Sequence, residues 1–351
     1  MSHGYVPVQW NTNKRTYDLI ILLGIIAYVG LFMAIGSTIG APDTSISPEI
    51  LLIRAFGSCA FLMLTLILCI GPMARLSPRF APMLYNRRHL GVATFVVALV
   101  HFGIALAWYH GFGVDNPFIS MLTSNPRYGS FGGFPFEALG FVAFLILFVM
   151  ASTSHDYWLA NLGAPIWKAL HMAVYAAYGL LVMHVALGAL QTEKSPVYVY
   201  LLLASVVVVA GLHILTGRRE VRTDRTRTER DGRWIELPDP GTIPNKQARI
   251  VAIPGGDRIA VFRDGDKLFG IANACKHQNG PLGEGRIVDG CVTCPWHGFQ
   301  YVPQTGASPP PFEEKIATYT LKAEGGRVWI DPNGNEPGTE TAPLTFPGTA
   351  S

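Results

Sequence analysis

The sequence has little charge. Asp, Glu, Lys and Arg make up only 15% of its 351 residues, and the formal net charge is +3. A charge this small argues against a nucleic-acid partner, and the arginines stand mainly in short stretches beside apolar segments. No G-x-G-x-x-G follows a predicted strand, and no flavin-binding fingerprint is present, so the sequence lacks a recognisable dinucleotide site of its own.

Cysteine is also scarce, and its odd count of five does not suit a disulfide framework. Cys59 and Cys69 lie in an apolar run, where we expect small buried side chains. Cys275, Cys291 and Cys294 stand close together beside two histidines, a pattern typical of metal ligation. This grouping predicts a reducing compartment for that part of the chain.

Hydrophobic residues are abundant: they form 50% of the chain and concentrate in the first 217 positions. A helix needs about 20 apolar residues to cross a membrane. Six stretches satisfy this requirement, and we place them at 18–40, 50–71, 89–110, 137–153, 165–190 and 196–217. The first is too long for a signal peptide and lacks a small-residue cleavage site, so we keep it as a helix.

Basic residues predict how these helices are oriented. Lys14 and Arg15 precede the first helix, four arginines stand between 75 and 88, and six stand between 218 and 230. The connections after helices one and three hold only Arg127. By the positive-inside rule, we expect a bacterial inner-membrane protein with six helices and with both termini in the cytoplasm.

Four histidines lie at matching depths in helices three and five, which this topology makes parallel. His89 and His101 are about 18 Å apart along one helix, and His171 and His184 about 20 Å along the other. Imidazole is a standard axial ligand of haem iron, and ionisable side chains inside a membrane are functional by default. The pattern predicts one or two b-type haems, held by His89 with His171 and by His101 with His184, with Arg88 near a propionate. For His89, an interfacial role beside the arginines stays open.

These residues resemble the ferric reductase-like transmembrane domain, the haem-bearing bundle of ferric reductases and NADPH oxidases. The resemblance covers residues 18–217, through "RRHLG" ahead of His101, "STS" after helix four, and "WKALH" ending at His171, with His184 following. Within this family the sequence is most similar to the haem subunit of the bacterial periplasmic methionine sulfoxide reductase system, in which the position of His89 is usually apolar. The resemblance implies an all-α, six-helix, haem-binding membrane bundle over residues 1–217.

A small all-β domain is predicted after a charged linker at 218–231. Short runs of β-branched and aromatic residues occur in "RIVAI", "RIAVFRDGDKLFGI" and "YTLKAEGGRVWI", with turns at Asp264-Gly265 and Gly325-Gly326. We expect this domain to extend over 232–336. Residues 337–351 have few apolar side chains to bury and are predicted to be disordered.

Two pairs of metal-ligand residues interrupt the predicted strands. Cys275-x-His277 and Cys294-x-x-His297 supply two thiolates and two imidazoles from two loops. This is the donor set of a Rieske 2Fe-2S cluster, in which the cysteines hold one iron and the histidines the other. Zinc is the alternative, because Cys291-x-x-Cys294 by itself is how a zinc ribbon begins.

The surrounding sequence resembles Rieske ferredoxins over 232–331, with "CKHQNGPLGEG", "CPWHGFQY", "QTG" at 304–306 and a proline run at 309–311. In this alignment Cys291 falls outside the ligand motif and is predicted to be a strand residue. Gly280 and the Pro295-Trp296 pair occupy the places where Rieske proteins of the cytochrome bc complex have disulfide cysteines. Only 54 residues follow His297, fewer than a ring-hydroxylating oxygenase needs for its mononuclear iron domain.

Together these features predict an oxidoreductase that passes electrons from a cytoplasmic donor, through the cluster and the haems, to an acceptor outside. Membrane lipid, a separate flavoprotein reductase, and an acceptor protein, metal or quinone are the expected partners. Two alternatives remain. One is a quinol-linked membrane enzyme, and the other is a redox sensor or membrane-anchored Rieske ferredoxin that serves a cytoplasmic oxygenase.

Overall fold

The computed structural model describes residues 12–39, 46–80, 83–84, 86–130, 133–155, 158, 161–162, 164–192, 196–225, 230–253, 256–277, 279–296 and 298–346. These residues form two compact units. The helical unit holds the described residues between 12 and 73 and between 86 and 213. The β unit holds those between 74 and 84 and between 214 and 346, and it includes every described strand.

The described residues form nine α-helices: α1 Thr12–Ile39, α2 Pro48–Leu76, α3 Arg87–His110, α4 Pro117–Thr123, α5 Phe136–Ser152, α6 Ala164–Met172, α7 Val174–Leu187, α8 Ala189–Thr192 and α9 Pro196–Arg225.

Five helical segments in the described part of the chain are long and apolar enough to cross a membrane. They are Lys14–Thr38, Pro48–Leu76, Arg87–His110, Ile166–Gln191 and Pro196–Arg222. The helix α5 is apolar but shorter, at 17 residues. Each of the six predicted spans therefore coincides with a helical segment, although the fifth is divided among α6, α7 and α8.

The helix α1 exposes most of its apolar side chains. None of the residues in its most hydropathic window is buried within the structure. Leu23 and Ile26 are each more than half exposed. Such a surface is unfavourable in water and favourable against hydrocarbon, so α1 has the character of a helix that faces lipid.

The core of the helical unit lies where α2, α5, α7 and α9 meet. Leu64 of α2, Leu147 of α5 and Val209 of α9 are buried together there. Ala143 and Ala177 are fully buried, and small residues at these positions let the backbones of α5 and α7 approach closely. This packing holds α7, which carries His184, in a fixed place against α5.

The β unit contains three antiparallel sheets. Their strand orders are β1-β2-β11-β10, β12-β5-β4-β3 with β9 also paired to β5, and β6-β7-β8. The strands are β1 Arg230–Asp231, β2 Trp234–Leu237, β3 Ala248–Val251, β4 Ile259–Asp264, β5 Lys267–Ala272, β6 Arg286–Val288, β7 Cys291–Thr293, β8 Gln300–Tyr301, β9 Thr318–Tyr319, β10 Leu321–Glu324, β11 Arg327–Ile330 and β12 Leu344–Thr345. The two hairpins predicted near Gly265 and Gly325 are confirmed as β4–β5 and β10–β11.

Two apolar clusters fill the β unit. One lies beneath β2, β4 and β11 and includes Ile235, Val261 and Val328. The other includes Phe262, Phe299 and the side chains of Cys275 and Cys294. The predicted ligand loops therefore rest directly on a packed hydrophobic core, which excludes water from the sulfur atoms.

The predicted disorder of 337–351 is wrong for residues 337–346. Strand β12 pairs with β5, and the Thr341 hydroxyl lies 2.7 Å from that of Thr318. Leu344 and Phe346 pack against the first apolar cluster. A few apolar residues suffice here because the segment adds to the edge of an existing sheet and does not have to build a core. Residues 347–351 lie outside the described part of the chain.

The predicted linker at 218–231 also differs from the structure. The helix α9 continues to Arg225, and β1 already pairs with β2. Within the β unit, Glu220 forms an ion pair with Arg258, and Arg75 Nε lies 3.7 Å from a Glu284 carboxylate oxygen. The arginine-rich sequence has no apolar face, so its helix was not predictable from hydrophobic periodicity. The boundaries at 217 and 232 stay predictions.

Candidate metal centres

The two ligand loops of the β unit have the same backbone geometry. Cys275 donates its N–H to the carbonyl of Gly280, five residues on, and Cys294 does the same to Phe299, at 2.9 and 2.8 Å. Each cysteine carbonyl accepts an N–H from the fourth residue on, Asn279 at 2.7 Å and Gly298 at 2.9 Å. The chain therefore builds one loop shape twice, although the cysteine–histidine spacings differ by one residue.

Asn279 and Gly298 occupy equivalent positions in these loops, and both have positive φ, 56° and 72°. Glycine adopts this left-handed conformation freely, and asparagine is among the few other residues that tolerate it. The shared turn thus explains why the sequence has these two residues at these positions.

The two loops come together at Gly280. A Cβ atom on Gly280 would lie 2.7 Å from the Cys294 sulfur, so no larger side chain fits there without displacing that sulfur. The five cysteines all belong to the described part of the chain, and they form no disulfide. In Rieske proteins of the cytochrome bc complex this position holds a disulfide cysteine. Here it holds Gly280, which leaves room for the loop that carries Cys294.

Tyr301 contacts the first loop from below. Its hydroxyl lies 3.5 Å from the Cys275 sulfur and accepts the N–H of Lys276 at 2.9 Å. The pKa of Tyr301 is raised well above its ordinary value, first by burial and then by the neighbouring Cys275 thiol. The phenol therefore stays protonated and is able to donate to a thiolate sulfur.

His277 is held by an aromatic contact. Its ring stacks on Phe299 with centroids 5.3 Å apart and planes 6° from parallel. The fourth predicted ligand, His297, lies outside the described residues. Among the residues that are described, no group of three or more His, Cys, Asp or Glu side chains is placed to hold a metal ion.

The arrangement fits two thiolate ligands at Cys275 and Cys294 and does not add Cys291 to them. Both ligand cysteines belong to one buried cluster, and both lie near Tyr301. Cys291 instead lies in strand β7, as predicted, and pairs with Val288 of strand β6. Burial and the nearby Asp289 raise the pKa of the Cys291 thiol, so this cysteine is an unreactive strand residue.

In the helical unit, His101 of α3 and His184 of α7 face each other. Their ring centroids are 6.5 Å apart, and their planes are 82° from parallel. A metal–imidazole bond is about 2 Å long, so two imidazoles on opposite sides of one metal have centroids roughly 6 Å apart. The separation of these two rings therefore fits one metal ion between them.

The hydrogen bonds of these rings define which nitrogen is available. Nδ1 of His101 lies 2.9 Å from the carbonyl oxygen of Ile53, and Nδ1 of His184 lies 2.8 Å from that of Phe136. A carbonyl can only accept, so each Nδ1 carries the proton and each Nε2 keeps its lone pair. Metal-ligating histidines usually have this second contact, which fixes the tautomer and the ring orientation.

His171 of α6 has the same tautomer. Its Nδ1 lies 2.9 Å from the carbonyl oxygen of Trp167, and the Trp167 ring stacks on it at 3.7 Å. Its Nε2 is buried and makes no hydrogen bond of regular geometry among the described residues, although the Met150 backbone lies near enough to interact with the ring. A buried polar atom without a well-formed hydrogen bond is costly, and a bound metal would reduce that cost. Arg87 and Arg88 lie close enough for their charges to act on this ring.

His89 has a partner that was not predicted from the sequence. Its Nδ1 lies 2.8 Å from the Asp18 carboxylate on α1. An acidic residue in a predicted membrane span was the available signal, since such residues are rare and functional. The ring contact that joins His101 to His184 has no counterpart between His89 and His171 in the described part of the chain. The structure thus brings one predicted pair together, and the other pair stays a prediction.

Two family models match the chain. Residues 56–182 match "Ferric reductase like transmembrane component", and residues 233–320 match "Rieske [2Fe-2S] domain".

The chain is 31% identical over 179 residues to the protein-methionine-sulfoxide reductase heme-binding subunit MsrQ of Bordetella pertussis, a match that covers 51% of this chain and 79% of that one. It is 38% identical over 80 residues to the anthranilate 1,2-dioxygenase ferredoxin subunit of Burkholderia cepacia, covering 22% of this chain and 74% of that one. Among solved structures, the Sphingomonas yanoikuyae B1 ferredoxin is 28% identical, covers 27% of this chain and 95% of that one, and has a TM-score of 0.26.

Proposed function

We propose that this chain carries electrons from a cytoplasmic donor to an acceptor on the outer side of a bacterial inner membrane. Its helical part belongs to the ferric reductase-like transmembrane family, and its β part belongs to the Rieske [2Fe-2S] family. It is a membrane oxidoreductase that holds a Rieske cluster and haem.

In the β unit, Cys275 and Cys294 would hold one iron of the cluster and His277 and His297 the other. Neutral imidazoles replace two thiolates in such a centre, which raises its reduction potential above that of an all-cysteine ferredoxin. The shared loop geometry and the close approach of Gly280 to Cys294 support this assignment. The protonated Tyr301 adds a donor beside Cys275.

In the helical unit, His101 and His184 would hold a b-type haem. Their facing rings and carbonyl-bonded Nδ1 atoms support this. His171 would ligate a second haem through its buried Nε2, with His89 as the other ligand and Arg88 near a propionate. The Asp18 contact is compatible with ligation by His89, because carboxylates commonly orient metal-binding histidines.

We infer the direction of electron flow from the arginine bias, and the need for a separate electron donor from the lack of a nucleotide-binding motif in the sequence. The arginine bias favours a cytoplasmic location for the β unit, where reduced donors are available. No nucleotide-binding motif was found in the sequence, so we assign electron entry to a separate protein such as a flavoprotein reductase. The names of the two relatives, a ferredoxin subunit and a heme-binding subunit, fit a carrier that works between other proteins. The acceptor is a protein, a metal or a quinone.

The observation that carries this proposal is the facing pair His101 and His184 in a chain that also has two Rieske-type loops. The test is an optical and EPR spectrum of the purified full chain, with iron, acid-labile sulfide and haem counted. Cys294→Ala is expected to remove the Rieske signal and leave haem in place. His184→Ala is expected to remove the outer haem and leave the Rieske signal.

His89→Ala decides the second haem. If His89 is a ligand, the variant loses or alters the inner haem spectrum while the outer haem stays unchanged. If the spectrum and haem count are the same as in the wild type, the inner haem has another ligand or does not exist, and His89 has the structural role that its hydrogen bond with Asp18 supplies. A purified protein that contains zinc without iron, or no haem, contradicts the proposal as a whole.

A further inference from the structure

Each of the two facing histidines lies against a glycine of the neighbouring helix. Nδ1 of His101 bonds the carbonyl of Ile53 in α2, and Gly57 stands four residues further along the same helix. A Cβ atom on Gly57 would lie 2.8 Å from Cε1 and 2.9 Å from Nδ1 of His101. No real Cβ atom comes this close, so the imidazole occupies space that only glycine leaves open.

The contact is repeated on different helices. Nδ1 of His184 bonds the carbonyl of Phe136 at the start of α5, and Gly140 stands four residues further along. A Cβ atom on Gly140 would lie 2.6 Å from Nδ1 and 2.8 Å from Cε1 of His184. The same three components therefore occur twice: an imidazole, a helix carbonyl, and a glycine four residues after that carbonyl.

Helix geometry explains why the glycine is at this spacing. A helical side chain leans toward the N-terminus and covers the turn before its own Cα. A side chain at position i+4 therefore shields the carbonyl oxygen of residue i from a neighbouring helix. That oxygen already accepts the N–H of residue i+4 and has a second lone pair. Removing the side chain gives an imidazole access to this lone pair.

Two glycines on the histidine-bearing helices themselves have no such contact. Gly103 of α3 and Gly179 of α7 have no heavy atom within 4 Å of an added Cβ. Glycine within a helix is less favourable than alanine. The positions of Gly57 and Gly140 therefore have a specific use, whereas Gly103 and Gly179 serve as matched controls.

We propose that Gly57 and Gly140 are positioning residues for the outer haem: each one opens a helix carbonyl that fixes the tautomer and the ring plane of its histidine. This inference rests on the proposed function, in which His101 and His184 ligate that haem. The carbonyl bonds hold the two rings nearly perpendicular, at 82°. Alanine at either glycine pushes one ring away from its carbonyl and changes both the angle and the basicity of the ligand.

The experiment compares Gly57→Ala and Gly140→Ala with Gly103→Ala and Gly179→Ala in the full chain. The EPR g-values of a low-spin ferric haem report the angle between its axial imidazoles, so the first two variants are expected to shift the g-values of the outer haem. Haem retention is expected to fall about 10- to 100-fold, as for other losses of a partner that orients a metal ligand. The control variants keep wild-type g-values, and the Rieske signal, present in all four, shows that the β unit of each chain is folded.

The outcomes separate this inference from the proposal on which it rests. Loss of haem in His101→Ala, together with wild-type g-values and haem retention in both Gly57→Ala and Gly140→Ala, overturns the role of the glycines and leaves the haem ligands intact. Unchanged haem in both His101→Ala and His184→Ala overturns the ligand assignment itself. The two glycines lie on different helices, so if one variant fails to accumulate, the other gives the same readout.

Discussion

Tyr301 lies beside Cys275, which we propose as a ligand of the cluster. Its hydroxyl is 3.5 Å from the Cys275 sulfur, in a place where both groups are fully buried. A hydrogen bond to a cluster sulfur stabilises the reduced form, which has one more negative charge, and therefore raises the reduction potential.

Tyr301→Phe is expected to lower the midpoint potential of the Rieske cluster. Removing one hydrogen bond of about 1 kcal/mol corresponds to a decrease on the order of 40 mV for one electron. Redox titration followed by EPR measures this change. Tyr319→Phe is the control, because Tyr319 is buried in the other apolar cluster of the β unit. An unchanged potential in Tyr301→Phe would show that its hydroxyl does not donate to the sulfur.

Cys291→Ala is expected to keep the cluster. Cys291 is buried in β7 and lies outside the core cluster that holds Cys275 and Cys294, so its loss leaves only a small cavity, at a cost of about 1 kcal/mol. Iron and acid-labile sulfide analysis checks this, with Cys294→Ala as the variant that loses both. Loss of bound metal in Cys291→Ala, with zinc in the wild type, is the result that the zinc alternative predicts.

At the scale of elements, β12 is the strand whose contribution is easiest to test. It pairs with β5, and Leu344 and Phe346 cover part of the apolar cluster below. Truncation after Glu336 is therefore expected to lower the free energy of unfolding of the β unit by roughly 2 kcal/mol. Thermal unfolding followed by the visible circular dichroism of the cluster measures this loss. Truncation after Phe346 keeps β12 and should unfold like the full chain, and equal stability of the two truncations would contradict the assignment.

The elements differ in how far the sequence predicts them. The long helices follow from apolar length alone, and the hairpins β4–β5 and β10–β11 follow from alternating residues around glycine turns. Strand β12 has two residues and becomes a strand only because the edge of β5 is available. No local pattern marks a strand of this kind.

The residues of the candidate sites also differ in how far the sequence predicts their roles. The cysteine–histidine spacings identify the Rieske loops because each loop contains its own ligands. The partners of the ligands come from distant positions: Tyr301 follows Cys275 by 26 residues, and Gly140 precedes His184 by 44. Their roles depend on which helices and strands pack together, so they became visible only in the structure.

The proposed electron route through the whole molecule requires the β unit to be on the cytoplasmic side. Protease added to intact right-side-out vesicles is therefore expected to leave the β unit uncut, and protease added to inverted vesicles is expected to digest it. An antibody against the C-terminal segment follows the cleavage, and detergent-opened vesicles provide the control. Cleavage in intact right-side-out vesicles would place electron entry on the outer face and favour the quinol-linked alternative.

The central claim is that electrons reach the haem through the Rieske cluster of the same chain. The most direct measurement is the rate of haem reduction in sealed inverted vesicles, after a flavoprotein reductase and NADH are added to the exposed cytoplasmic face. We expect the cluster to be reduced first and the b-type haem next in the wild type. In Cys294→Ala, which retains haem and lacks the cluster, this donor should leave the haem oxidised. Equally rapid haem reduction in Cys294→Ala and in the wild type would show that electrons reach the haem without passing through the cluster.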